Sequence, residues 1–173
     1  MNHIPEDYYA LRKLFWVLLV VAGISGHCAA QVKADSVLVK KSEKALYLLK
    51  DGKPLKRYHV VFGPRAKGHK LMEGDERTPE GSYTLDFKNP RSGFYKSIRI
   101  SYPNEADVAK AQKYNVSPGG NIMIHGTKNS WSAKTAARAK NHNWTDGCIA
   151  LSNSDMDEVW EAIDVGTPIS ILP

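Results

Sequence analysis

The chain has 173 residues, 24 Lys and Arg against 18 Asp and Glu, a net charge of +6 and a hydrophobic fraction of 42%. This length supports one core-forming domain with a short leader and is too short for two domains. The cations are scattered and not interleaved with aromatics, which argues against a nucleic-acid partner; a positive surface suits anionic cell-envelope polymers, or simply keeps the domain soluble.

Arg12-Lys13 precedes an apolar run, Leu14–Ile24, of 11 residues. A bilayer span needs roughly 20 residues, so residues 1–30 read as a signal peptide, with Cys28-Ala29-Ala30 as the cleavage region. A retained membrane anchor and lipid attachment at Cys28 are the rival readings, the second weakened by His27 in place of a small residue. The expected location is therefore exported, in the periplasm or cell envelope, with residues 31–173 as the working domain.

Residues 37–63 predict a β-hairpin: strands around Val37–Val39, Ala45–Leu49 and Tyr58–Phe62, with Lys50-Asp51-Gly52-Lys53 as a tight turn between the last two. Gly74–Gly81 is turn chemistry, Pro79 presetting φ ahead of a strand at Ser82–Leu85. Another strand is expected at Ser97–Ser101, then a helix capped by Asn104 and running to about Tyr114, with Asp107 completing a capping box. Asn121–Ile124 returns to extended structure and leads into His125-Gly126. The Ala-rich stretch 130–140 predicts a surface helix with a thin apolar face. Met156, Val159, Trp160 and Ile163 recur at helical spacing, with Ser154 and Asp157 as a capping box, and Thr167–Leu172 closes the chain as a strand. With no repeat or linker, the fold class is mainly β with a few helices, in a single domain.

Once the leader is removed, Cys148 is the sole thiol. A lone exported cysteine has no intrachain disulfide partner, so it is either buried and inert or a nucleophile. The thiolate is the attacking species and is only a few per cent of a thiol with the ordinary pKa of ~8.5 at neutral pH, so catalysis needs an activator. Of His59, His69, His125 and His142, His125 is best placed: it ends an apolar run, on a rigid strand, beside Gly126, which allows close approach. Gly147 lets the chain turn so that main-chain N–H groups, including that of Cys148, can meet an oxyanion. Taken singly, each of these residues is more often structural; together in one exported domain they favour catalysis.

Five segments in matching order, Val60–Gly63, Gly74–Tyr83, Ile124–Thr127, Gly147–Ile149 and Gly166–Ile169, resemble the L,D-transpeptidases of the YkuD type, which act on bacterial peptidoglycan. The resemblance implies a β-sandwich or barrel in which Cys148 attacks the carbonyl of an L,D-peptide bond in a stem peptide. A thioester forms and passes to an amine or to water. It implies His125 as general base, oriented by the Gly126 carbonyl, and Gly147 and Cys148 as oxyanion donors. It also implies peptidoglycan stem peptides as partner and no metal or organic cofactor. Separately from the resemblance, the chain is read as a monomer that requires no protein partner, its oligomeric state being open from sequence.

The chain departs from the family pattern in two places. Where the usual motif has Ser-His-Gly-Cys and an Arg two residues on, this chain has Thr145-Asp146-Gly147-Cys148 and Ala150. Asp146 should disfavour the thiolate unless it points away or pairs with His142, Arg138 or a Lys. Arg77 or Arg99 could replace the missing Arg as a carboxylate anchor, and Trp144 is a further candidate for substrate contact. The segment between His125 and Cys148 is long, and helix 130–140 is expected to form a lid. These departures resemble a divergent branch, some of whose members hydrolyse peptidoglycan links. The alternatives are a non-catalytic envelope-binding module and a metal site built from His125, His142, Asp146 and Cys148.

Overall fold

The computed structural model describes residues 32–173; the leader expected at 1–30, with Cys28, lies outside the described residues. Eight strands, β1 (Ser36–Lys40), β2 (Ala45–Lys50), β3 (Lys53–His59), β4 (Gly81–Ser92), β5 (Tyr95–Ile100), β6 (Met123–His125), β7 (Ile149–Ala150) and β8 (Thr167–Leu172), form one sheet in the order β3-β2-β1-β8-β4-β5-β6-β7. β1 pairs with β8, and β6 with β7, in parallel; the other neighbours are antiparallel. Among the described residues three helices, α1 (Glu105–Lys113), α2 (Ala133–Ala139) and α3 (Asn153–Ala162), complete the domain.

The first hairpin turns where the sequence predicts. Asp51 and Gly52 have φ of 51° and 72°, and Lys50 pairs with Lys53 across the two-residue loop. Both positive φ values suit the right-handed twist of the flanking strands. β3 starts at Lys53 and stops at His59, not at the expected Tyr58–Phe62. Its exposed Lys53-Pro54 start suits an edge strand, where a missing N–H and a charge discourage foreign pairing. The more apolar residues that follow serve elsewhere. Val61 exchanges two backbone hydrogen bonds with Ala150, of 3.0 and 2.9 Å. The chain leaving one edge strand is thus joined to the other edge strand, and the sheet curls on itself.

Alternation on β1, β2, β4, β5 and β8 sends Val39, Leu46, Leu85, Ile98, Ile100 and Ile171 inward, each fully buried. Burying such a side chain stabilises by about 1.5–3 kcal/mol, as an upper estimate. Met156 and Val159 of α3 close the core. That helix is capped by Ser152, whose hydroxyl accepts from Asp155 N–H at 3.1 Å. The cap lies two residues earlier than the expected Ser154. Leu151 N–H is still bonded to the His125 carbonyl at 2.9 Å, so the chain must turn at once, and Ser152 offers the first hydroxyl. Asp157 instead takes the Lys96 ammonium at 2.7 Å and the Tyr95 hydroxyl at 2.8 Å. At the other end, Lys88 donates to the carbonyls of Trp160 and Ile163 at 2.6 and 3.0 Å, satisfying groups the helix leaves unpaired.

Asn104 and Asp107 cap α1 reciprocally at 3.0 Å each, as the sequence predicts. Asp107 also accepts from Tyr83 of β4 at 3.0 Å and pairs with His69 at 3.1 Å, tying the helix and the long 63–80 loop to the sheet. β6 begins at Met123 because Asn121 holds φ at 55°, which interrupts extended structure. Among the described residues no helix is long and apolar enough to cross a membrane.

Candidate active site

The β6–β7 pair sets the geometry. Ile124 is paired with Ile149 and His125 with Ala150, in parallel register. Cys148 therefore lies beside Met123, and the period-two alternation of a strand puts Met123 and His125 on one face, one repeat apart. The Met123 N–H is 3.4 Å from Cys148 Sγ, and the thiol is 3.6 Å from the Asn121 carbonyl oxygen. Cys148 and His125 both line one cleft of about 420 Å³.

His125 is buried at 3% exposure. Its Nδ1–H donates to the Gly126 carbonyl at 2.7 Å, which leaves Nε2 as the acceptor nitrogen. Its ring lies 4.6 Å from that of Phe94 and 5.6 Å from that of Trp144. Burial pushes the imidazole pKa down to about 4, against a small opposing effect of the Gly126 bond, so the ring is neutral at neutral pH. Cys148 is half-buried. Burial pushes its thiol up; the Met123 N–H opposes this, Asp146 adds to it and Lys70 offsets it. The resting pair is a neutral thiol and a neutral imidazole.

The turn before the cysteine is held from two sides. The Thr78 hydroxyl donates to the Gly147 carbonyl at 2.9 Å, and the Thr145 hydroxyl donates to the Cys148 carbonyl at 2.7 Å. Gly147 has φ of 121°, and a Cβ there would lie 2.6 Å from the Arg77 carbonyl oxygen. Gly126 is equally constrained, since its Cβ would lie 2.5 Å from Asn153 Oδ1. The 74–81 segment is thus more than a turn, because Arg77 and Thr78 form the floor under residue 147. Asp75 stabilises that floor by accepting from Leu71, Met72 and Arg77 N–H and from the Lys70 ammonium, at 2.8, 3.2, 3.1 and 2.8 Å.

Trp144 lines the cleft and packs on Trp131 at 4.6 Å. Asp146 also lines it, exposed, and among the described residues its expected tether to His142, Arg138 or a Lys is not formed. Neither candidate arginine lines the cleft. Arg99 is held by Asp86 at 2.8 and 3.2 Å, and the Arg77 Nε is buried without a hydrogen-bond partner among the described residues. Among the described residues no three His, Cys, Asp or Glu side chains are placed to hold a metal, so the set His125, His142, Asp146 and Cys148 is not assembled. Sequence reasoning missed Phe94 and Lys128. Phe94 follows a Ser-Gly turn and carries no chemical signal; Lys128, three residues after His125, could have been noticed by proximity alone. α2 is capped by Ser132, buries no side chain, and is tethered where His59 Nε2 meets the Lys140 carbonyl at 3.0 Å.

Residues 34–171 match the YkuD family, described as the L,D-transpeptidase catalytic domain. YafK of Escherichia coli (strain K12), named as a candidate L,D-transpeptidase, is 31% identical over 144 residues, covering 78% of this chain and 48% of that protein. The chain thus spans about half the length of the curated relatives it matches. The helical cell shape determining protein Pgp2 from Campylobacter jejuni aligns with a TM-score of 0.58 at 26% identity, over 92% of this chain and 54% of that one. An L,D-transpeptidase from Xylanimonas cellulosilytica shares the fold, with a TM-score of 0.51 at 15% identity over 81% of this chain and 61% of that one. Its sequence match and its curled, mostly β sheet make this chain a member of the YkuD L,D-transpeptidase catalytic domain family.

Proposed function

We propose that the chain catalyses cysteine-dependent acyl transfer on peptidoglycan stem peptides. What carries this reading is that the one free cysteine among the described residues shares a cleft with a buried, neutral imidazole whose tautomer is fixed by a main-chain carbonyl. Cys148 Sγ attacks the carbonyl carbon of an L,D-peptide bond as its proton passes to His125 Nε2. The C–N bond breaks, the imidazolium returns the proton to the departing amine, and a thioester remains on Cys148. An incoming amine then attacks the thioester, gives its proton to His125 and restores the thiol. The Cys148 N–H makes no hydrogen bond among the described residues and is available to the oxyanion; the Gly147 N–H, 3.4 Å from Thr145 Oγ1, is only weakly engaged. Losing one such donor commonly costs about a hundredfold in rate. Trp144 bounds the substrate space beside His125.

Water in place of the amine would make the same thioester chemistry a peptidase. The exported unit is residues 31–173 behind a cleaved leader or retained anchor, working as a monomer on the cell envelope. The test is incubation of the full chain, and of residues 31–173, with purified tetrapeptide and pentapeptide muropeptides, with products identified by mass. Crosslinked dimers mean transfer, and shortened or released stems mean hydrolysis. Either product should vanish in Cys148→Ala. Binding without turnover in the wild type would overturn the catalytic reading in favour of a binding module.

A further inference from the structure

The cleft wall carries two charged side chains, Lys128 and Asp146, and among the described residues neither forms an ion pair. Lys128 follows β6 on the His125 side, its ammonium 5.9 Å from the centre of the Phe94 ring and 5.7 Å from that of Trp131. Ring faces attract the ammonium without accepting its hydrogen bonds in the ordinary sense, so the cation is positioned while its N–H donors stay free. Asp146 stands two residues before Cys148, exposed, with both carboxylate oxygens free of any side-chain or backbone donor among the described residues. Burial is the main reason the thiol pKa is raised; the negative charge of Asp146 adds to it, while the Met123 N–H and Lys70 oppose it.

We propose that Lys128 and Asp146 form a charge-complementary subsite for a stem peptide that carries a free carboxylate and a free ammonium near the scissile bond. The inference rests on the stem-peptide reading above and deepens it. The carboxylate is taken by Lys128, in the role that neither Arg77 nor Arg99 is placed to fill. The ammonium is taken by Asp146, and a bound ammonium there neutralises the charge that opposes thiolate formation. A correctly charged ligand therefore removes part of the barrier to activating Cys148, whereas a neutral one does not. Selectivity and reactivity are linked through one carboxylate.

The test measures equilibrium binding to the Cys148→Ala protein, so that it does not depend on turnover. Three forms of a tetrapeptide stem are compared: native, with its carboxylates amidated, and with its free amine acetylated. One charge-assisted hydrogen bond lost corresponds to about tenfold in Kd. Each capped form is expected to bind about tenfold more weakly than the native peptide. Adding Lys128→Met should abolish the effect of amidation and keep that of acetylation; adding Asp146→Asn should do the reverse. Both side chains are exposed, so these changes leave the fold intact. Indifference to both caps, or variants that keep both sensitivities, overturns the subsite. Acylation of wild-type Cys148 by the native peptide, followed by mass, is a separate readout. A charge-selective protein that is never acylated keeps the subsite and fails the catalytic reading, and an acylated protein indifferent to the caps does the opposite.

Discussion

The Nδ1–H of His125 is bonded at 2.7 Å to the carbonyl of its own neighbour, Gly126, and Gly126 is the residue type that fits there because Asn153 Oδ1 occupies the space a Cβ would need. One glycine thus fixes the tautomer of the buried ring and admits the asparagine that caps the turn, since Asn153 Oδ1 accepts from Thr127 N–H at 2.9 Å. The ring is oriented by this main-chain carbonyl, and burial keeps it neutral.

That neutrality sets the pH dependence. With the imidazole held at about 4, protonation disables it only in acid, so kcat/KM on stem peptides should be flat from about pH 6 to 8 and fall below about pH 5. Stability follows the same group. The folded pKa lies below the ordinary value of about 6.5, so the contribution is complete above pH 6.5 and is lost as pH falls toward 4, by roughly 3 kcal/mol in all. His125→Asn should remove both dependences and leave a residual rate that rises with pH as the thiol ionises. A wild-type rate profile titrating at the ordinary histidine value would contradict a buried, neutral imidazole acting as the proposed base.

Gly147→Ala should separate site geometry from folding. The new Cβ meets the Arg77 carbonyl oxygen at 2.6 Å, a backbone atom that cannot swing aside as a flexible side chain would, so the turn must move and carry Cys148 with it. A displaced nucleophile commonly costs about a hundredfold, and strain at a positive φ costs about 1–3 kcal/mol. The expected result is a loss of at least a hundredfold in kcat/KM with a cooperative urea transition retained at a lower midpoint. Wild-type turnover in this variant would show that the turn does not position the thiol.

Much of this was legible in the sequence because its determinants are local. The Asp51-Gly52 turn and the Asn104–Asp107 cap depend on residues next to one another, and both are found where the pattern places them. What was not legible depends on pairing between distant segments. Val60–Phe62 reads as the end of a β3 strand, yet Val61 is committed to Ala150, a partner whose identity no periodicity shows. Ser152 rather than Ser154 caps α3 because a bond to His125 decides where the strand ends. The same holds at the cleft. Cys148 and His125 stood out by residue type, whereas Lys128 and Phe94 acquire meaning only through what surrounds them, and Arg99 lost its expected part to Asp86.

Asp75 and Lys70 offer a test of the floor beneath the turn. Burial alone would raise the Asp75 carboxyl, but the Lys70 ammonium and three backbone N–H donors outweigh it and hold the group below the usual carboxylate range. Asp75→Ala leaves Lys70, 3% exposed, without its counter-charge, and breaking a buried pair in this way costs about 3–5 kcal/mol. Lys70→Met added to Asp75→Ala should recover part of that loss. By sign, the stability from Asp75 is present above the unfolded carboxylate pKa of about 3.9 and is lost as pH falls through the lowered folded value. Urea midpoints measured at pH 3 and pH 7 should therefore differ less in Asp75→Ala than in the wild type.

The lid expected of residues 130–140 depends on few attachments. α2 buries no side chain, so the ties of this stretch to the domain include the Trp131–Trp144 contact at 4.6 Å, the Lys128 ammonium 5.7 Å from the centre of the Trp131 ring, the His59–Lys140 bond at 3.0 Å and short turn bonds at either end, among them Trp131 N–H to Lys128 at 3.1 Å. An aromatic pair contributes about 0.5–1.5 kcal/mol beyond its area, enough to order a segment and too little to govern global stability. Trp131→Ala with His59→Ala should therefore speed amide exchange across Ala133–Ala139 and leave Tm within a few degrees. Because Trp144 also contacts His125 and bounds the cleft, loosening its partner should raise KM for stem peptides several-fold while kcat stays within about twofold, the signature of lost uniform binding. A fall in kcat at unchanged KM would instead assign Trp131 to the orientation of His125, and no change in either would remove α2 from the cleft altogether.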